Sequence, residues 1–342
     1  MVTVNVIDTG HIGESDIFTV YSSSRLGKIY YVATYTQDTS FFCVSALSPD
    51  TVVLVKKFKQ TNIYRLRQYE SYRFDGTDGE DLSGTRIESN KPVAVIAGGI
   101  VDIGNNGYAT DKDGALEQLP PVSSWGHTHT LAPFIGSDLG YVFRIYAGPM
   151  LTTVYISDNS MSIVPIRPEE YYEGIGDKVI TLISDQPVMV SQYIVGNQRF
   201  GYHYASVIII PPVTSYSSNV TFSVFGYAGI TYSVAYYINV VMACTFVDEL
   251  LLDNNVAVWD DQLSSNDEEM CCVRKAIDTG EHCVEHANPI ARFFVYVYGI
   301  CSPSCVSSFV YPGSDVYFNN ETDGLNTTLP TRTGKEVIVT EA

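Results

Sequence analysis

Leu119-Pro-Pro-Val-Ser-Ser-Trp125 and Ile210-Pro-Pro-Val-Thr-Ser-Tyr216 are nearly identical heptapeptides that lie 91 residues apart in the chain. A second pair, Ser89-Asn-Lys-Pro-Val-Ala-Val95 and Ser184-Asp-Gln-Pro-Val-Met-Val190, has a spacing of 95 residues, and Ala287–Arg292 is a degenerate third copy of it. In each copy of the second motif a polar turn precedes a proline, and β-branched residues alternate after it. A proline at the first position of a strand loses no ladder hydrogen bond, so the motif predicts a turn that leads into a strand.

The repeat predicts the fold class. Segments rich in Tyr and Val precede the proline motifs at Ile29–Tyr35, Tyr141–Ala147 and Ile230–Tyr236. A period of roughly 90–100 residues that holds several short strands is the size of a β-sandwich, whereas a solenoid would repeat every 20–50 residues. We therefore expect an all-β protein of three tandem β-sandwich-like modules, with minor helix at 246–252 and 267–276.

The repeat also indicates where the modules begin and end. We expect β modules at 1–101, 116–196 and 205–315, the last of them rich in cysteine. The Gly-rich links between them are short, so neighbouring modules should pack against one another. Residues 316–342 form a polar tail, in which Lys335–Thr340 has the pattern of one more strand, paired within the chain or with a neighbouring chain.

Composition and charge exclude several classes of protein. Hydrophobic residues make up 45% of the chain, which rules out general disorder. The formal charge is −18, of which residues 1–100 contribute −1 and residues 101–342 contribute −17. Such an acidic chain repels phosphate backbones and anionic lipid surfaces, so we expect neither a nucleic-acid partner nor electrostatic membrane docking. Cationic partners and Ca²⁺ stay open.

Cysteines and glycosylation motifs favour an extracellular, secreted or surface-associated protein. Five of the seven cysteines lie between Cys271 and Cys305, and glycosylation sequons begin at Asn219, Asn320 and Asn326. Cys43 is isolated, which makes it the candidate for a free thiol or an intermolecular bridge. Met1–Val6 lacks the basic and apolar segments of a signal peptide, so we expect either that a leader has been removed from this sequence or that the chain is a fragment.

One long stretch invites a membrane interpretation. Residues 200–247 contain no Lys, Arg, Asp or Glu. They also contain Pro211-Pro212, two asparagines and many hydroxyl groups, and Arg199 is the only basic residue close to either end. Buried strands explain the stretch better than a transmembrane segment does.

The motifs resemble those of a known family. Glu117–Gly126, Ser89–Gly98 and Phe294–Gly299, followed by Tyr311–Gly313, are similar in kind and order to the N-terminal domain of the IgG Fc-binding protein family, from about Lys28 onward. The resemblance implies a non-enzymatic extracellular module of mucus, matrix or adhesive assemblies, but not IgG binding as such. The family commonly has a cysteine pair before the Glu-Gln-Leu-Pro-Pro motif, and this chain has none there, which leaves that link to be held another way.

Together with the sequons, the resemblance favours disulfides over a zinc site in the cysteine cluster. The zinc alternative would use Cys271, Cys272, His282, Cys283 and His286. Because adjacent residues of a strand point to opposite faces, Cys271 and Cys272 should have different partners. The expected disulfides are Cys244–Cys271, Cys272–Cys283 and Cys301–Cys305.

Two further patterns resemble metal sites, and catalytic motifs are absent from the sequence. Asp75–Asp81 packs four carboxylates and two glycines into seven residues and could ligate Ca²⁺, but a solvated hairpin turn is the preferred interpretation. His127 and His129 would lie on one face of a strand, and without a third ligand a surface pair is favoured over zinc. No nucleophile elbow or phosphate-binding loop is present in the sequence, so we expect no enzyme, no catalytic residue and no required cofactor.

These observations predict an extracellular structural or adhesive protein. It would act through self-association or through other extracellular glycoproteins or mucins, in a mucus, matrix or surface filament. The alternative is a glycan- or glycoprotein-binding module without an assembly role, in which exposed tyrosines would form the binding platform.

Overall fold

The structure is a computed structural model that describes most of the 342-residue chain and is built almost entirely of antiparallel strands. The described residues are 2–7, 15–35, 39–57, 60–77, 79–102, 112–135, 140–157, 161–195, 205–226, 234–301, 308–312 and 337–341. The predicted all-β fold of sandwich-like modules is confirmed.

The strands divide into three modules and the segments that join them. Module 1 comprises β3 (Gly27–Tyr31), β4 (Thr39–Ala46), β5 (Thr51–Lys57), β6 (Gln60–Leu66), β7 (Ser71–Asp75) and β8 (Arg86–Asp102). Module 2 comprises β10 (Gly126–Leu131), β11 (Tyr141–Ala147), β12 (Thr152–Ser157), β13 (Met161–Ile166), β14 (Tyr171–Gly176) and β15 (Ile180–Val195). Module 3 comprises β17 (Asn219–Val224), β18 (Val234–Ala243), β19 (Leu250–Leu252), β20 (Asn255–Val256), β21 (Asp261–Ser264), β22 (Met270–Ile277), β23 (Gly280–His286) and β24 (Phe293–Cys301). The remaining strands are β1 (Val2–Ile7), β2 (Ser15–Val20), β9 (Lys112–Gln118), β16 (Ala205–Ile210), β25 (Ser308–Pro312) and β26 (Val337–Glu341).

The repeated proline lies where one long strand passes from one layer of the sandwich to the other. The first part of β8 pairs with β3 and β5, and the part after Pro92 pairs with β4 and β9. Pro187 has the same place in β15. The sequence predicted a turn before a new strand, whereas the proline lies inside a continuous strand, at the bend where the ladder changes partners.

Module 3 shows the same plan with the long strand broken. Asn288 and Pro289 separate β23 from β24, so the module has two distinct sheets, in the orders β17-β23-β19-β20 and β21-β22-β18-β24-β25. The degenerate third copy of the motif therefore marks the layer change that Pro92 and Pro187 mark in the first two modules.

Linking strands hold each module to the next. β9 pairs with β8, β16 pairs with β15, and β25 pairs with β24, so each linking strand extends the sheet of the module before it. The boundary predicted at residue 116 falls inside β9. At the other end β2 pairs with β1, which also pairs with β26, and β2 packs against β9 and β25.

The heptapeptide repeat is explained by contacts between modules. Residues Val122–Ser124 and Val213–Ser215 form single 3-10 turns directly after the two Pro-Pro pairs. A Cβ atom built on Gly27 would lie 2.3 Å from Cβ of Pro121, and one built on Gly126 would lie 2.3 Å from Cβ of Pro212. The glycine at the start of one module therefore allows the proline of the next to pack directly against its backbone.

Replacing Gly126 by alanine is expected to lower the free energy of unfolding by about 1–3 kcal/mol, because the new methyl group overlaps Pro212 and overpacks the junction. Chemical denaturation measures the change. Gly114→Ala is the matched control, since a Cβ at Gly114 meets no atom within 4 Å. Equal effects of the two substitutions would contradict this explanation of the repeat.

Helix is minor, as expected, but its places differ from the prediction. Cys244–Glu249 is a 3-10 helix, which overlaps the predicted segment 246–252. The predicted helix at 267–276 is wrong, because Met270–Ile277 forms β22 in the middle of a sheet. The β-branched and cysteine side chains of that segment pack between layers, and this burial favours a strand over the predicted helix.

The core is rich in tyrosine, and the uncharged stretch of the chain contributes buried strands. The largest fully buried side chains include eight tyrosines: Tyr30, Tyr31, Tyr141, Tyr146, Tyr193, Tyr216, Tyr296 and Tyr298. The central residues of β16 and β18 are buried within residues 200–247. Across the described ranges, no helix has the length and apolar character that a membrane crossing requires.

Candidate interaction surfaces

A buried arginine joins module 1 to module 2. Arg144 of β11 is 6% exposed, and its Nη1 donates to the Thr34 carbonyl at 2.6 Å and to Asp81 at 2.7 Å. Its Nε donates to Glu173 on β14 at 2.8 Å. The guanidinium also lies 4.4 Å from the ring centroid of Tyr171. One cation of module 2 is thus satisfied by a carboxylate and a backbone carbonyl of module 1.

The acidic turn at Asp75–Asp81 serves this junction. Burial alone would raise the pKa of Asp81, but the charge of Arg144 and hydrogen bonds from Ser83 and Thr34 outweigh it and hold the pKa below its usual value. Glu80 is paired with Lys57 on β5. These two carboxylates have protein cations as partners, whereas the sequence favoured a solvated hairpin turn.

The junction of modules 2 and 3 is uncharged. The amide of Asn239 on β18 donates to the Pro133 carbonyl at 3.1 Å, and the hydroxyl of Tyr296 donates to the Ala132 carbonyl at 3.0 Å. Phe134 packs edge-on against Tyr296 and Tyr298, with ring centroids 5.6 and 5.2 Å away. The segment after β10 is therefore inserted into a face of module 3, as the segment after β3 is inserted into a face of module 2.

An exposed apolar surface crosses three strands of module 2. Tyr155 on β12 is opposite Ile163 on β13 and Ile183 on β15, and we call these three residues the apolar row. Ile163 is 63% exposed, Ile183 50% and Tyr155 38%. Met161, two residues before Ile163, is 69% exposed. Contiguous exposed apolar side chains of this kind mark interaction sites.

The corresponding row of module 1 has a charged residue at one position. There Leu54 is opposite Ile63 and Glu88. The two modules can be aligned by a hydrogen bond that both contain. The backbone N–H of Val52 donates to the Asn90 side chain in module 1, and that of Thr153 donates to the Asp185 side chain in module 2. Glu88 thus has the place of Ile183, so the fold accepts a carboxylate at this position, and the row is fully apolar in module 2 but not in module 1.

The structure brings together only part of the predicted cysteine set. Cys244 and Cys271 form a disulfide. Cys272 is fully buried and Cys283 half-buried, and both are free, so the expected Cys272–Cys283 bond is wrong. Cys272 points away from Cys271 into the contact with module 2, whereas Cys283 lies in the other sheet. Because Cys271 is oxidised, the zinc alternative is not assembled either.

The other cysteines have different outcomes. Cys43 is free and half-buried, and burial raises the pKa of its thiol, which makes it a weak nucleophile at neutral pH. Cys305 and the side chain of Cys301 lie outside the described residues, so their pairing stays a prediction.

The first sequon lies on an exposed strand end. Asn219 begins β17 and is exposed. Its side-chain oxygen accepts a hydrogen bond from the thiol of Cys283 at 3.5 Å, and Thr221 of the same sequon donates to that sulfur at 3.6 Å. Asn320 and Asn326 lie outside the described residues, and glycosylation at all three positions stays a prediction.

The two histidines do not share a surface. A register shift between Gly126 and Thr128 breaks the alternation, so His127 is exposed while His129 is 1% exposed. Burial lowers the pKa of His129 to about 3. Among the described residues, no group of three His, Cys, Asp or Glu side chains has the arrangement of a metal site.

The buried His129 predicts a specific pH dependence of stability. Its pKa is about 3 in the folded protein against 6.5 when exposed, so only the unfolded chain takes up this proton. The stabilisation is complete above pH 6.5 and is lost towards pH 3, at about 1.4 kcal/mol per pH unit. Denaturation at several pH values should show that the free energy of unfolding depends less steeply on pH in His129→Leu than in the unmodified chain. An unchanged slope in His129→Leu would contradict the assignment.

The apolar row was missed from the sequence, although a signal for it exists. Met161-Ser-Ile-Val-Pro-Ile166 has apolar residues at both alternating sets of positions, which is more than a strand with one buried face requires. β13 is at the end of its sheet order, and Met161 and Ile163 of its outward set are exposed.

Comparison with known proteins agrees with this architecture. A family model described as IgGFc binding protein matches residues 16–299. No curated protein matches the chain. The family consists of extracellular binding proteins, which supports an extracellular binding or matrix role in general terms. Since the match spans well over half of the sequence, the chain belongs to the IgGFc binding protein family.

Proposed function

We propose that this protein is an extracellular, secreted or surface-associated structural or adhesive protein without enzymatic activity. It works through self-association and through binding to other extracellular glycoproteins or mucins, in a mucus, matrix or surface filament. Family membership supports the extracellular binding role.

The apolar row is the observation that carries the partner-binding part of this proposal. It presents three aligned side chains on adjacent strands, with exposed Met161 beside them, and Glu88 interrupts the same row in module 1. Exposed aromatic and aliphatic side chains that can be fully desolvated supply most of the binding energy in protein interfaces.

Binding to immobilised purified mucin and to extracellular matrix glycoproteins tests the proposal. Ile183→Glu gives module 2 the carboxylate that module 1 already has at this position, so the variant should fold normally. We expect it to weaken binding by about tenfold or more, because it places a charge in the contact.

Ile63→Glu is the matched control. Ile63 is 65% exposed at the place in module 1 that Ile163 has in module 2, outside the apolar row. It should leave binding within about twofold of the unmodified protein. Equal binding by Ile183→Glu and by the unmodified protein would contradict a role of the apolar row in partner binding.

Glycan binding without an assembly role is the second candidate function. One observation favours it: Tyr64, Tyr72 and Phe74 form an aromatic cluster on β6 and β7 with ring centroids 4.7–4.9 Å apart, and Tyr72 is 45% exposed. A glycan array distinguishes the two functions. Array signal that Tyr72→Ala abolishes and Ile183→Glu leaves intact would replace the first proposal with this one.

A further inference from the structure

β13 is an edge strand of the module 2 sheet, since it pairs with β12 and with no other strand that the structure describes. The backbone N–H of Thr153 on β12 donates to Asp185 on β15, so it points away from β13. Along an antiparallel strand, the N–H and C=O of each residue point to one side, and the side alternates from residue to residue. Pro165 is opposite Thr153. Met161, Ile163 and Pro165 therefore direct their backbone groups to the outer edge of the sheet.

This edge is complementary to itself. If Ile163 of one copy lies opposite Ile163 of another in an antiparallel pair, the two residues exchange two N–H···O bonds. Met161 then lies opposite Pro165 and donates to its carbonyl, which by symmetry adds two more bonds. This register overlaps residues 161–165, five of the six in each strand. A shift in either direction overlaps only three residues or loses two of the four bonds, because Pro165 has no N–H to donate.

The charge distribution favours contact between two copies at this edge. The chain has a formal charge of −18, so two copies repel each other over most of their surface. β12, β13 and residues 180–184 of β15 contain no Asp, Glu, Lys or Arg. Met161 and Ile163 are among the most exposed apolar side chains of the described residues. Pairing along β13 therefore brings together uncharged strands and shields apolar side chains from water.

The matching edge of module 1 is different. Its edge strand is β6, and the hydrogen bond that aligns the two modules places Thr61, Ile63 and Arg65 outward on it. Arg65 is exposed and has the place of Pro165. A charged side chain on an edge strand disfavours pairing with another chain. The β13 edge has no charged residue of this kind.

We propose that β13 of one copy pairs antiparallel with β13 of a second copy, around a two-fold axis at Ile163. The contact is isologous, so it closes as a pair. Edge pairing leaves the faces of the sheet open and joins the two apolar rows into one row of six side chains on six strands. The inference rests on the proposed self-association, names the strand that carries it and enlarges the surface offered to a partner.

Disulfide trapping in the full chain tests the two-fold register. Hydrogen-bonded residues of antiparallel strands have Cα atoms about 5.5 Å apart, which suits a disulfide. Ile163→Cys should convert most of the protein to a covalent pair under mild oxidation, as seen by non-reducing electrophoresis and by mass mapping of the joined peptide. Ile63→Cys, at the matching exposed position of β6, is the control and should give less than about a tenth of that yield. Equal yields from the two variants would overturn the proposal.

Removing one backbone donor tests the pairing without altering the apolar row. Met161→Pro removes the N–H that pairs with the second copy and keeps the ladder to β12, because Pro165 already has the same orientation in this strand. Sedimentation velocity should show association weakened by about tenfold or more, since each pair of copies loses two hydrogen bonds. Thr61→Pro, the same change on β6, is the control and should leave association within about twofold of the unmodified chain.

Failure of this contact and failure of the proposed function give different results. An unmodified chain that stays single at every concentration, or a Met161→Pro chain that associates as strongly as the unmodified one, overturns the β13 pairing. Mucin binding that Ile183→Glu weakens would in either case still support the partner-binding part of the proposed function. Intact pairing without mucin binding would overturn that part and support the β13 contact.

Discussion

Replacing Arg144 by methionine is expected to lower the free energy of unfolding by about 3–5 kcal/mol, because it leaves buried charge without a partner. Asp81 would keep its half-buried place with no cation within bonding distance, and the Thr34 carbonyl would lose Arg144 and keep the Ser83 hydroxyl as a donor. Without this cation the pKa of Asp81 would rise. At acidic pH the carboxyl group would be protonated and carry no unpaired charge, so the loss of stability would be smaller there. The effect is large because this one side chain bonds to groups of both modules.

Urea denaturation followed by tryptophan fluorescence measures this loss, since Trp125 packs against Tyr31 at the same junction with ring centroids 5.6 Å apart. Arg167→Met is the control, because the Arg167 side chain is 81% exposed and its nearest carboxylate, on Glu170, is 4.0 Å away. That substitution should change stability by less than about 0.5 kcal/mol. A loss below about 1 kcal/mol for Arg144→Met would show that the modules are held by other contacts.

Removing the Cys244–Cys271 disulfide should cost about 3–4 kcal/mol. The bond closes a loop between residues 27 apart in sequence, and loop-closure entropy for that length gives this magnitude. It fastens the end of β18 and the following 3-10 helix to the start of β22, so the double variant Cys244→Ser with Cys271→Ser should loosen module 3 first.

Thermal unfolding with and without reductant checks this expectation. Reductant should lower the stability of the unmodified chain more than that of the double variant. Cys283→Ser, at a free and half-buried thiol, is the control and should have little effect. Mass mapping that finds Cys244 as a free thiol in protein from an oxidising compartment would contradict the disulfide and weaken the extracellular assignment.

The modular plan could be predicted because local sequence motifs determine it. The Pro-Val motifs and the Pro-Pro heptapeptides recur at a fixed period, and each reflects a local requirement, a layer change at Pro92 or close packing of Pro212 on Gly126. What the sequence did not reveal was that β8 continues through its proline, because continuity depends on partners on both sides of the bend.

The junctions and surfaces could not be predicted, for a different physical reason. Arg144 meets Asp81 across 63 residues, and nothing near either residue in sequence indicates the other. Cys272 and Cys283 belong to strands of different sheets. Their closeness in sequence suggested a bond that this separation does not allow. The apolar row required the register of three strands, which is a tertiary property.

Light scattering on the purified full chain over a wide range of concentration, with and without reductant, tests the proposed role most directly. The account predicts that the mass rises with concentration in steps of about 37.8 kDa. A mass of one chain at every concentration, together with no retention on mucin, would contradict a role in extracellular assembly.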